Sequence, residues 1–597
     1  MIKEIKSIKI NKGITLISLV VTIIIILILA GVTIQVAVGE SGLITKALDA
    51  VKGIKGARFQ ENVELALGEF RIDTALDKDG KENLKKRLED YGYDVTEYAD
   101  NDLIVYDKET GLKKKLDLLN GDIETSNNEI EEKAQKLTDS SIWDGTTSEG
   151  LIGEGTIINP YYICSAKDLA YMRDQVNSTN NITGLNPDRT KNGKDVEANT
   201  ACYKLMTDIY LNDTANFDSW TNDNKPQNTW LPIGYVKAGG GNYFFGNFDG
   251  NNKKIVGAYI VKLNDNSNVY QCGIFGGLGG YGMILNLCAE NTYIYSQKTA
   301  ESHNEHIGAV GTIVAYIEKN SKVINCNVLN SKLYGVSIIG GIVGYAKSSY
   351  ADNHLYIEKC SFNGEIIALQ SQNNDQEIYI GGVAGEVSGS KNITVTKCYN
   401  TGKITIDNDS SEKIYVGGIA GFQTSAVTIE NCYNTGNIKD NYGKSVAGGI
   451  CGYMPHNSPS DSIIANCYNT GSIKGAKNQS CFVGKFDASS GSIYIRNCYN
   501  AGNIEGELIS DGNVQLGWVK TINWGSCNIE DCYMFFENNI YKHTYKYDSY
   551  NTNETTAEKI DISNVEKYLF SRDFIVNSLN WDESIWNINE NEYPTLK

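Results

Sequence analysis

The sequence predicts a mainly β chain, a right-handed parallel β-solenoid ectodomain that follows an N-terminal transmembrane α-helix. One phrase, most cleanly Asn431–Gly436 (Asn-Cys-Tyr-Asn-Thr-Gly), recurs seven times at intervals of 31 to 38 residues. A fixed period in this range indicates stacked structural units, not one globular core. The 597 residues include 59 Gly and 37 Tyr but only 7 Pro, which is typical of short strands and turns. A long apolar run near the N-terminus predicts the membrane helix.

Residues 1–13 form a basic leader with four lysines, and residues 14–38 form the predicted transmembrane helix. At about 1.5 Å per residue, this run can cross a hydrocarbon core of about 30 Å. Positive charge before the helix predicts a cytoplasmic N-terminus and a single-pass protein in the cell membrane, with its C-terminal ectodomain at the cell surface. A secretory signal peptide cut near Ala37–Gly39 is the alternative, but the apolar run exceeds the usual length of about 7–15 residues.

The segment Lys12–Leu19 (Lys-Gly-Ile-Thr-Leu-Ile-Ser-Leu) resembles the leader of type IV prepilins. The resemblance implies that a prepilin peptidase cuts between Gly13 and Ile14 and methylates the new N-terminus. The chain departs from the family at Ile14, where pilins usually carry Phe, and at Ser18, where they usually carry Glu. In pilins that Glu is thought to pair with the N-terminal amine of a neighbouring subunit. A plain single-pass anchor is the alternative interpretation.

Residues 39–119 are predicted to form a pilin-like stalk and a small α/β region. Apolar residues recur at helical spacing from Leu43 to Phe70, which predicts an amphipathic extension of the membrane helix. A short helix from Glu82 to Asp90 and strands around Val95 and Leu103–Tyr106 are expected to follow. Residues 120–140 are polar and acidic without a sustained period, which predicts a linker.

Residues 141–270 are predicted to form a lead-in β region. Ser165 and Asp168 make a capping-box-like start for a helix over Ala166–Val176. The expected extended segments that follow are Tyr203–Met206, Ile209–Leu211 and a strand-turn-strand over Phe244–Asn251.

Residues 271–536 are predicted to form the solenoid, with three short strands in each coil. In most coils a Gly follows the repeated Cys at plus four and an Ile at plus six, while a Gly-x-x-Gly strand precedes the Cys. An aliphatic residue stands three positions before each Cys: Val323, Ile357, Val395, Ile429, Ile464, Ile495 and Ile529. An offset of three cannot place both side chains inward on a regular strand. We therefore expect a bulge or bend at the residue before the Cys.

The repeats resemble the GLUG motif, which is known from bacterial surface adhesins and from accessory regions of IgA-cleaving peptidases. The lead-in, with Trp230–Gly234 and Phe248–Asn251, resembles the segment that precedes such repeats. The ending, with Trp581, Trp586 and Tyr593–Lys597, resembles their C-terminal cap, which we assign to residues 537–597. The resemblance covers about residues 141–597 and implies architecture, since fold does not carry function.

The composition excludes several kinds of site. A net charge of −18 argues against nucleic-acid binding. The fourteen cysteines follow the repeat, which favours a column of buried free thiols over disulfides. No Cys-x-x-Cys occurs, and His303 and His306 stand three apart where a zinc-protease helix needs four. We therefore predict no metal site, no cofactor and no catalytic residue.

Two sets of residues have alternative interpretations. The Tyr after the Cys in the later repeats predicts an aromatic column, which either stacks on itself or, if exposed, holds sugar rings. Self-stacking is the favoured interpretation. Asp208 and Asp249 stand at strand ends of the lead-in, where a glycosidase would need paired carboxylates about 5–10 Å apart. Turn hydrogen bonding explains them equally well, so they stay unassigned.

The leading hypothesis is a membrane-anchored, pilin-like surface protein whose solenoid mediates adhesion or other extracellular binding, without enzymatic activity. The expected partners are the membrane, prepilin peptidase, other pilins and an extracellular glycan or protein. One alternative is a carbohydrate-active β-helix enzyme. Another is a minor pseudopilin of a type IV pilus or type II secretion-like system.

Overall fold

The structure, a computed structural model, describes residues 80–597 apart from short segments, together with isolated residues between Lys55 and Leu67. The longest segments outside the described part are 1–54, 68–79, 118–122, 186–190, 264–270, 298–307, 349–353, 371–376, 505–518, 549–553 and 561–567. The predicted leader, membrane helix and cleavage site at Gly13 and Ile14 lie outside the described residues. Within the described part, no helix is long and apolar enough to cross a membrane. The chain divides into two compact units, Met1–Glu129 and Ile130–Lys597.

The first unit is a small α/β domain. Its helix Gly80–Asp90 precedes a four-stranded antiparallel sheet whose strands follow chain order. The strands are Asp94–Ala99, Asp102–Asp107, Leu112–Asp117 and Ile123–Asn127. The described residues between 55 and 67 are helical, and Phe59 and Val63 pack with Leu88 and Val105 in one buried cluster.

The predicted linker over residues 120–140 contains regular structure. Strand Ile123–Asn127 pairs with the preceding strand, so that Ile123 lies opposite Leu116, and helix Glu129–Gln135 follows. The short apolar signal of a single edge strand explains why the sequence alone indicated a linker.

The second unit is built from parallel sheets that run the length of the repeats, so it is a parallel β-solenoid. An eight-stranded sheet contains Phe275–Leu278, Val314–Glu318, Val343–Ser348, Ala384–Gly389, Ala420–Gln423, Cys451–His456, Val483–Ala488 and Ile522–Asn523. A six-stranded sheet contains Val310–Gly311, Ile338–Gly340, Ile378–Gly381, Ile414–Gly417, Val446–Gly448 and Asn478–Ser480.

A third, long sheet has 28 strands. Its lead-in strands are Leu151–Ile152, Tyr161–Ile163, Asn181–Leu185, Lys191–Glu197, Cys202–Leu205, Ile209–Tyr210, Asn247–Val256 and Tyr259–Lys262. Its repeat strands are Met283–Glu290, Tyr293–Ser296, Lys322–Ile324, Asn327–Gly335, Leu355–Glu358, Ser361–Leu369, Ile393–Thr396, Tyr399–Asn400, Lys403–Asp407, Val427–Glu430, Tyr433–Asn434, Ile438–Asp440, Ser462–Ala465, Tyr468–Asn469, Ile473–Lys474, Ser492–Arg496, Tyr499–Asn500 and Ser526–Phe536. Its last two strands are Asn539–Asp548 and Glu554–Ile560.

The Gly-x-x-Gly motif is a corner and not the strand that the sequence predicted. The six-stranded sheet ends just before or at each motif, and the eight-stranded sheet begins inside it. A Cβ on Gly382 would lie 2.2 Å from the Gly418 carbonyl oxygen, and one on Gly421 would lie 2.3 Å from the Ile380 nitrogen. Because only glycine tolerates such close backbone approach, these residues allow the two sheets to meet at a tight corner.

The residue before each repeated Cys has the left-handed backbone conformation, which explains why the aliphatic residue stands three positions before the Cys. Asn431, for example, has φ of 52°, and both Ile429 and Cys432 are fully buried. The same conformation occurs at every repeat: Asn325, Lys359, Lys397, Asn431, Asn466, Asn497 and Asp531. One left-handed residue turns the strand so that side chains three apart both point inward, which confirms the expected bend.

The long sheet joins the lead-in to the repeats without a break. Residues 202–204 pair in parallel with 247–249, which pair in turn with 283–285. Helix Ala166–Ser178 belongs to this region, and its Asp168 amide donates to Ser165 Oγ at 3.3 Å. The lead-in and the repeats therefore share one hydrophobic core.

The C-terminal segment turns back along the solenoid. The last two strands of the long sheet are antiparallel to their neighbours, so they reverse the chain. A π-helix over Asp573–Ser578 and a small hairpin of Trp586–Asn587 with Thr595–Leu596 follow.

Candidate functional site

The tyrosines after the repeated Cys form a stacked and covered column. The rings of Tyr399, Tyr433, Tyr468 and Tyr499 stack in sequence at 4.7, 4.8 and 5.0 Å, within 6° of parallel. The C-terminal segment lies on them, and Tyr468 Oη donates to the Pro594 carbonyl at 2.7 Å. This column is a packing device, because its central rings have no exposed face for a sugar.

A column of buried asparagines lies beside it. Asn400 donates to Asn434, Asn434 to Asn469 and Asn469 to Asn500, each at 2.8 Å. Each amide also donates to the carbonyl of the repeated Gly two residues later, for example Gly436 at 3.0 Å. These bonds satisfy the buried amides from within the chain.

The repeated cysteines form a buried column of free thiols, as predicted. Burial raises the pKa of Cys326, Cys360 and Cys398 well above the usual value of a thiol. Because the thiolate is the reactive species, these residues are unreactive packing groups. Cys288 lies outside the column, since it pairs with Asn327.

A second aromatic surface lies on the outside of the corner between the six-stranded and eight-stranded sheets. We call it the corner strip. It consists of Tyr243, Tyr316, Tyr345, Tyr379, Tyr415, Phe422 and Tyr453. Outward side chains of the two sheets contact each other here, with 4.4 Å between the ring centroids of Tyr379 and Phe422. The outer surface of this corner is therefore concave.

The corner strip is less buried than the covered tyrosine column. Tyr243, Tyr379, Phe422 and Tyr453 are all partly exposed, while the rings between them are buried. Aromatic rings with one accessible face are common recognition surfaces for ligands with an apolar face. The strip thus offers several contact points along one line.

Acidic side chains accompany the rings. Tyr316 Oη donates to Glu318 at 3.2 Å, Tyr379 Oη to Glu377 at 2.5 Å and Tyr453 Oη to Asp487 at 3.3 Å. The nearby carboxylates raise the tyrosine pKa values, after burial itself, as at Tyr453.

Glu386 is the fourth acid of the strip. It lies in register with Phe422, and burial raises the pKa of its carboxyl to about 7. The neighbouring hydroxyl groups of Ser388 and Tyr345 oppose this rise, as does the charge of the nearby Lys347. A carboxyl group with a pKa near neutrality is a common property of functional sites.

Other candidate residues are used inside the chain. Asp208 accepts a hydrogen bond from the Lys254 amide at 2.9 Å, and Asp249 accepts one from the Asn251 amide at 2.8 Å. These bonds support the turn interpretation. His303 and His306 lie outside the described residues.

An open pocket of about 530 Å³ lies in the lead-in beside Trp220. Its polar groups are largely used within the chain, because Asn212 donates to two carbonyls at 2.9 Å and Asn224 donates to Ser219 at 2.8 Å. The corner strip is therefore the better candidate for a binding surface.

The corner strip is not evident from the sequence, although the repeat contains its signal. The residue directly after the second Gly of each Gly-x-x-Gly motif belongs to the strip or contacts it: Tyr345, Glu386, Phe422 and Tyr453. These residues share a surface only because the Gly-x-x-Gly motif forms a corner between two sheets. The predicted Gly-x-x-Gly strand did not indicate that these residues lie on one surface.

Comparison with known proteins adds little to this geometry. No family model matches the chain, and no curated protein matches it. The chain is similar to a crystal structure described as a "putative immunoglobulin A1 protease" from Bacteroides ovatus, with a TM-score of 0.40 and 17% identity. The alignment covers 74% of this chain and 94% of that one. A similarity at this level carries no argument, so the resemblances to GLUG-motif proteins and prepilins stay predictions.

Proposed function

We propose that this chain is a membrane-anchored, pilin-like cell-surface protein whose β-solenoid binds an extracellular ligand along the corner strip. One observation carries the binding part of the proposal. The C-terminal segment covers the tyrosine column of Tyr433, Tyr468 and Tyr499, while Tyr379, Phe422 and Tyr453 of the corner strip stay partly exposed. The membrane anchor and prepilin processing rest on the sequence alone.

The chemistry of the strip suits an extended glycan. Sugar rings present apolar faces to aromatic rings and hydroxyl groups to carboxylates and lysines. Strip residues repeat once in each coil, at about 4.8 Å, so a linear ligand can meet several equivalent contacts. Many weak contacts of this kind give avidity without one deep pocket.

Binding is tested on cells that display the full-length protein. The variant Tyr379→Ala with Phe422→Ala should lose most adhesion to a glycan-coated surface. The matched control is Tyr356→Ala, a partly exposed tyrosine on the long sheet away from the strip. Equal adhesion of both variants and the parent would contradict the role of the strip.

The anchor is tested by mass spectrometry of the mature N-terminus. A chain that begins at N-methylated Ile14 would support prepilin processing, and co-purification with other pilins would then favour the pseudopilin alternative. A start at Met1 would support a plain anchor. A start near Glu40 would contradict the membrane-anchor proposal.

A carbohydrate-active enzyme is a second candidate, favoured by one observation. Glu386 has a carboxyl pKa raised to about 7, and the charge of Glu377 contributes to that rise. A carboxyl group with a raised pKa near a second carboxyl group is one feature of acid–base glycoside hydrolysis. Shortening of a soluble glycan by the parent, but not by Glu386→Gln, would support this candidate. The lack of enzymatic activity otherwise stays a prediction.

A further inference from the structure

Four acidic residues accompany the corner strip, and three of them form salt bridges with lysines of the same chain. Lys485 lies 4.7 Å from the centre of the Tyr453 ring and pairs with Asp487. Lys413 pairs with Glu377 at 3.0 Å, and Lys319 pairs with Glu318 at 3.2 Å. Each of these acids also accepts a hydrogen bond from a strip tyrosine. The recurring unit is a tyrosine, a carboxylate and an ammonium group.

The fourth acid, Glu386, has the tyrosine but no ion pair among the described residues. Tyr345 is its hydrogen-bond partner, and Ser388 Oγ in turn donates to Tyr345 Oη at 2.9 Å. The charge of the nearby Lys347 favours the ionised carboxylate. Within the described part of the chain, Glu386 is thus the strip acid for which no paired ammonium group is seen.

Two partly exposed rings adjoin Glu386. Phe422 lies in register with it on the next coil, and Tyr379 contacts Phe422 at 4.4 Å between centroids. A group that rested on these rings would have Glu386 within reach at their edge. An ammonium group there would gain both the carboxylate and the ring faces.

We propose that Glu386, Tyr379 and Phe422 bind an amino sugar with an unacetylated amine, so that the ring packs on the aromatic side chains and the ammonium pairs with Glu386. Lys485 on Tyr453 and Asp487 is the chain's own version of this contact, three coil positions along the same corner. An amino-sugar polymer fits better than a lysine-rich peptide, because the apolar faces of its pyranose rings can also pack on the aromatic side chains. This inference rests on the proposed binding function of the strip.

The test uses the full-length protein in mild detergent and measures binding by titration calorimetry. The probes are a glucosamine hexamer, its fully N-acetylated counterpart and oligolysine. The variants are Glu386→Gln, which keeps the shape of the side chain, and Glu358→Gln, a control on the long sheet whose acid pairs with Lys397 at 3.7 Å. We expect the glucosamine hexamer to bind at least tenfold more tightly than the acetylated one, and Glu386→Gln to remove that preference. Glu358→Gln should retain it.

Three results would overturn the inference. They are equal binding of the two hexamers, retention of the preference by Glu386→Gln, and binding of oligolysine alone. If both hexamers bind equally and Tyr379→Ala with Phe422→Ala abolishes that binding, the proposed function stands and only the ammonium contact fails. If neither hexamer nor any other glycan binds, the glycan-binding function fails as well.

Discussion

The buried asparagine column supplies the sharpest test of how the coils are held together. We expect Asn434→Ala to lower the local stability of its coil by about 4 kcal/mol. The side chain makes four hydrogen bonds, to Asn469 at 2.8 Å, to the Gly436 carbonyl at 3.0 Å, from Asn400 at 2.8 Å and from the Gly436 amide at 3.2 Å. At about 1 kcal/mol for each bond, the four together give this figure.

The matched control is Asn437→Ala in the same turn. Asn437 is exposed, and its side chain accepts hydrogen bonds from the Ser472 amide at 3.0 Å and the Ser472 hydroxyl at 2.8 Å. Because water can replace these partners, we expect a loss below about 1 kcal/mol. The comparison separates burial from the simple removal of an amide.

The assay is hydrogen–deuterium exchange of the full-length protein. Global unfolding is a poor measure, because a repeat array is held by interactions between neighbouring coils and need not unfold in one step. Peptides that span residues 428–440 should exchange about 1,000-fold faster in Asn434→Ala, since each 1.4 kcal/mol is tenfold. If both variants exchange at similar rates, within a factor of about five, the column does not stabilise the coils as argued.

Three further predictions concern other parts of the solenoid. Glu386 binds its proton more tightly in the folded state, so the free energy of unfolding should fall by up to about 3 kcal/mol as pH rises from about 4.5 to 7. Melting curves of Glu386→Gln should lack this pH dependence. The groups that face Glu386, which are Glu377, Lys347 and Tyr345, are unchanged in this variant. A maleimide reagent at neutral pH should label the column thiols only after unfolding, whereas the partly buried Cys202 should react in the native protein, as peptide mass mapping would show. Trp581→Ala should cost about 3–5 kcal/mol, because the ring packs on Tyr468 and Trp586, and proteolysis of the C-terminal segment should accelerate.

The sequence indicated the solenoid because its signals repeat. The period of the Cys, the inward aliphatic residue and the Gly at plus four recur in coil after coil, and stacking turns each into a column. Even the bend before the Cys could be anticipated, since an offset of three contradicts a regular strand. The identity of the bent residue was harder to predict, because Lys359 and Lys397 occupy the left-handed conformation alongside the asparagines.

The corner strip could not be predicted in the same way. Its members vary from coil to coil, with Tyr345, Glu386, Phe422 and Lys485 at equivalent positions. Outward positions tolerate such change, because packing does not fix their size or polarity. The strip exists because the backbones of two sheets meet at the corner and bring side chains of both sheets together. The sequence alone does not show that these sheets meet.

The covered tyrosine column differs from the corner strip because the C-terminal segment reverses direction on one side of the solenoid. After the antiparallel strands, this segment packs its Trp581 and Trp586 over Tyr468 and removes those rings from water. At the corner strip, no described segment lies over Tyr379 and Phe422, so contact with a ligand would remove further aromatic surface from water. A surface that is aromatic, charged and concave at the same time is better suited to a polar ligand with flat faces than to a partner protein with an apolar interface.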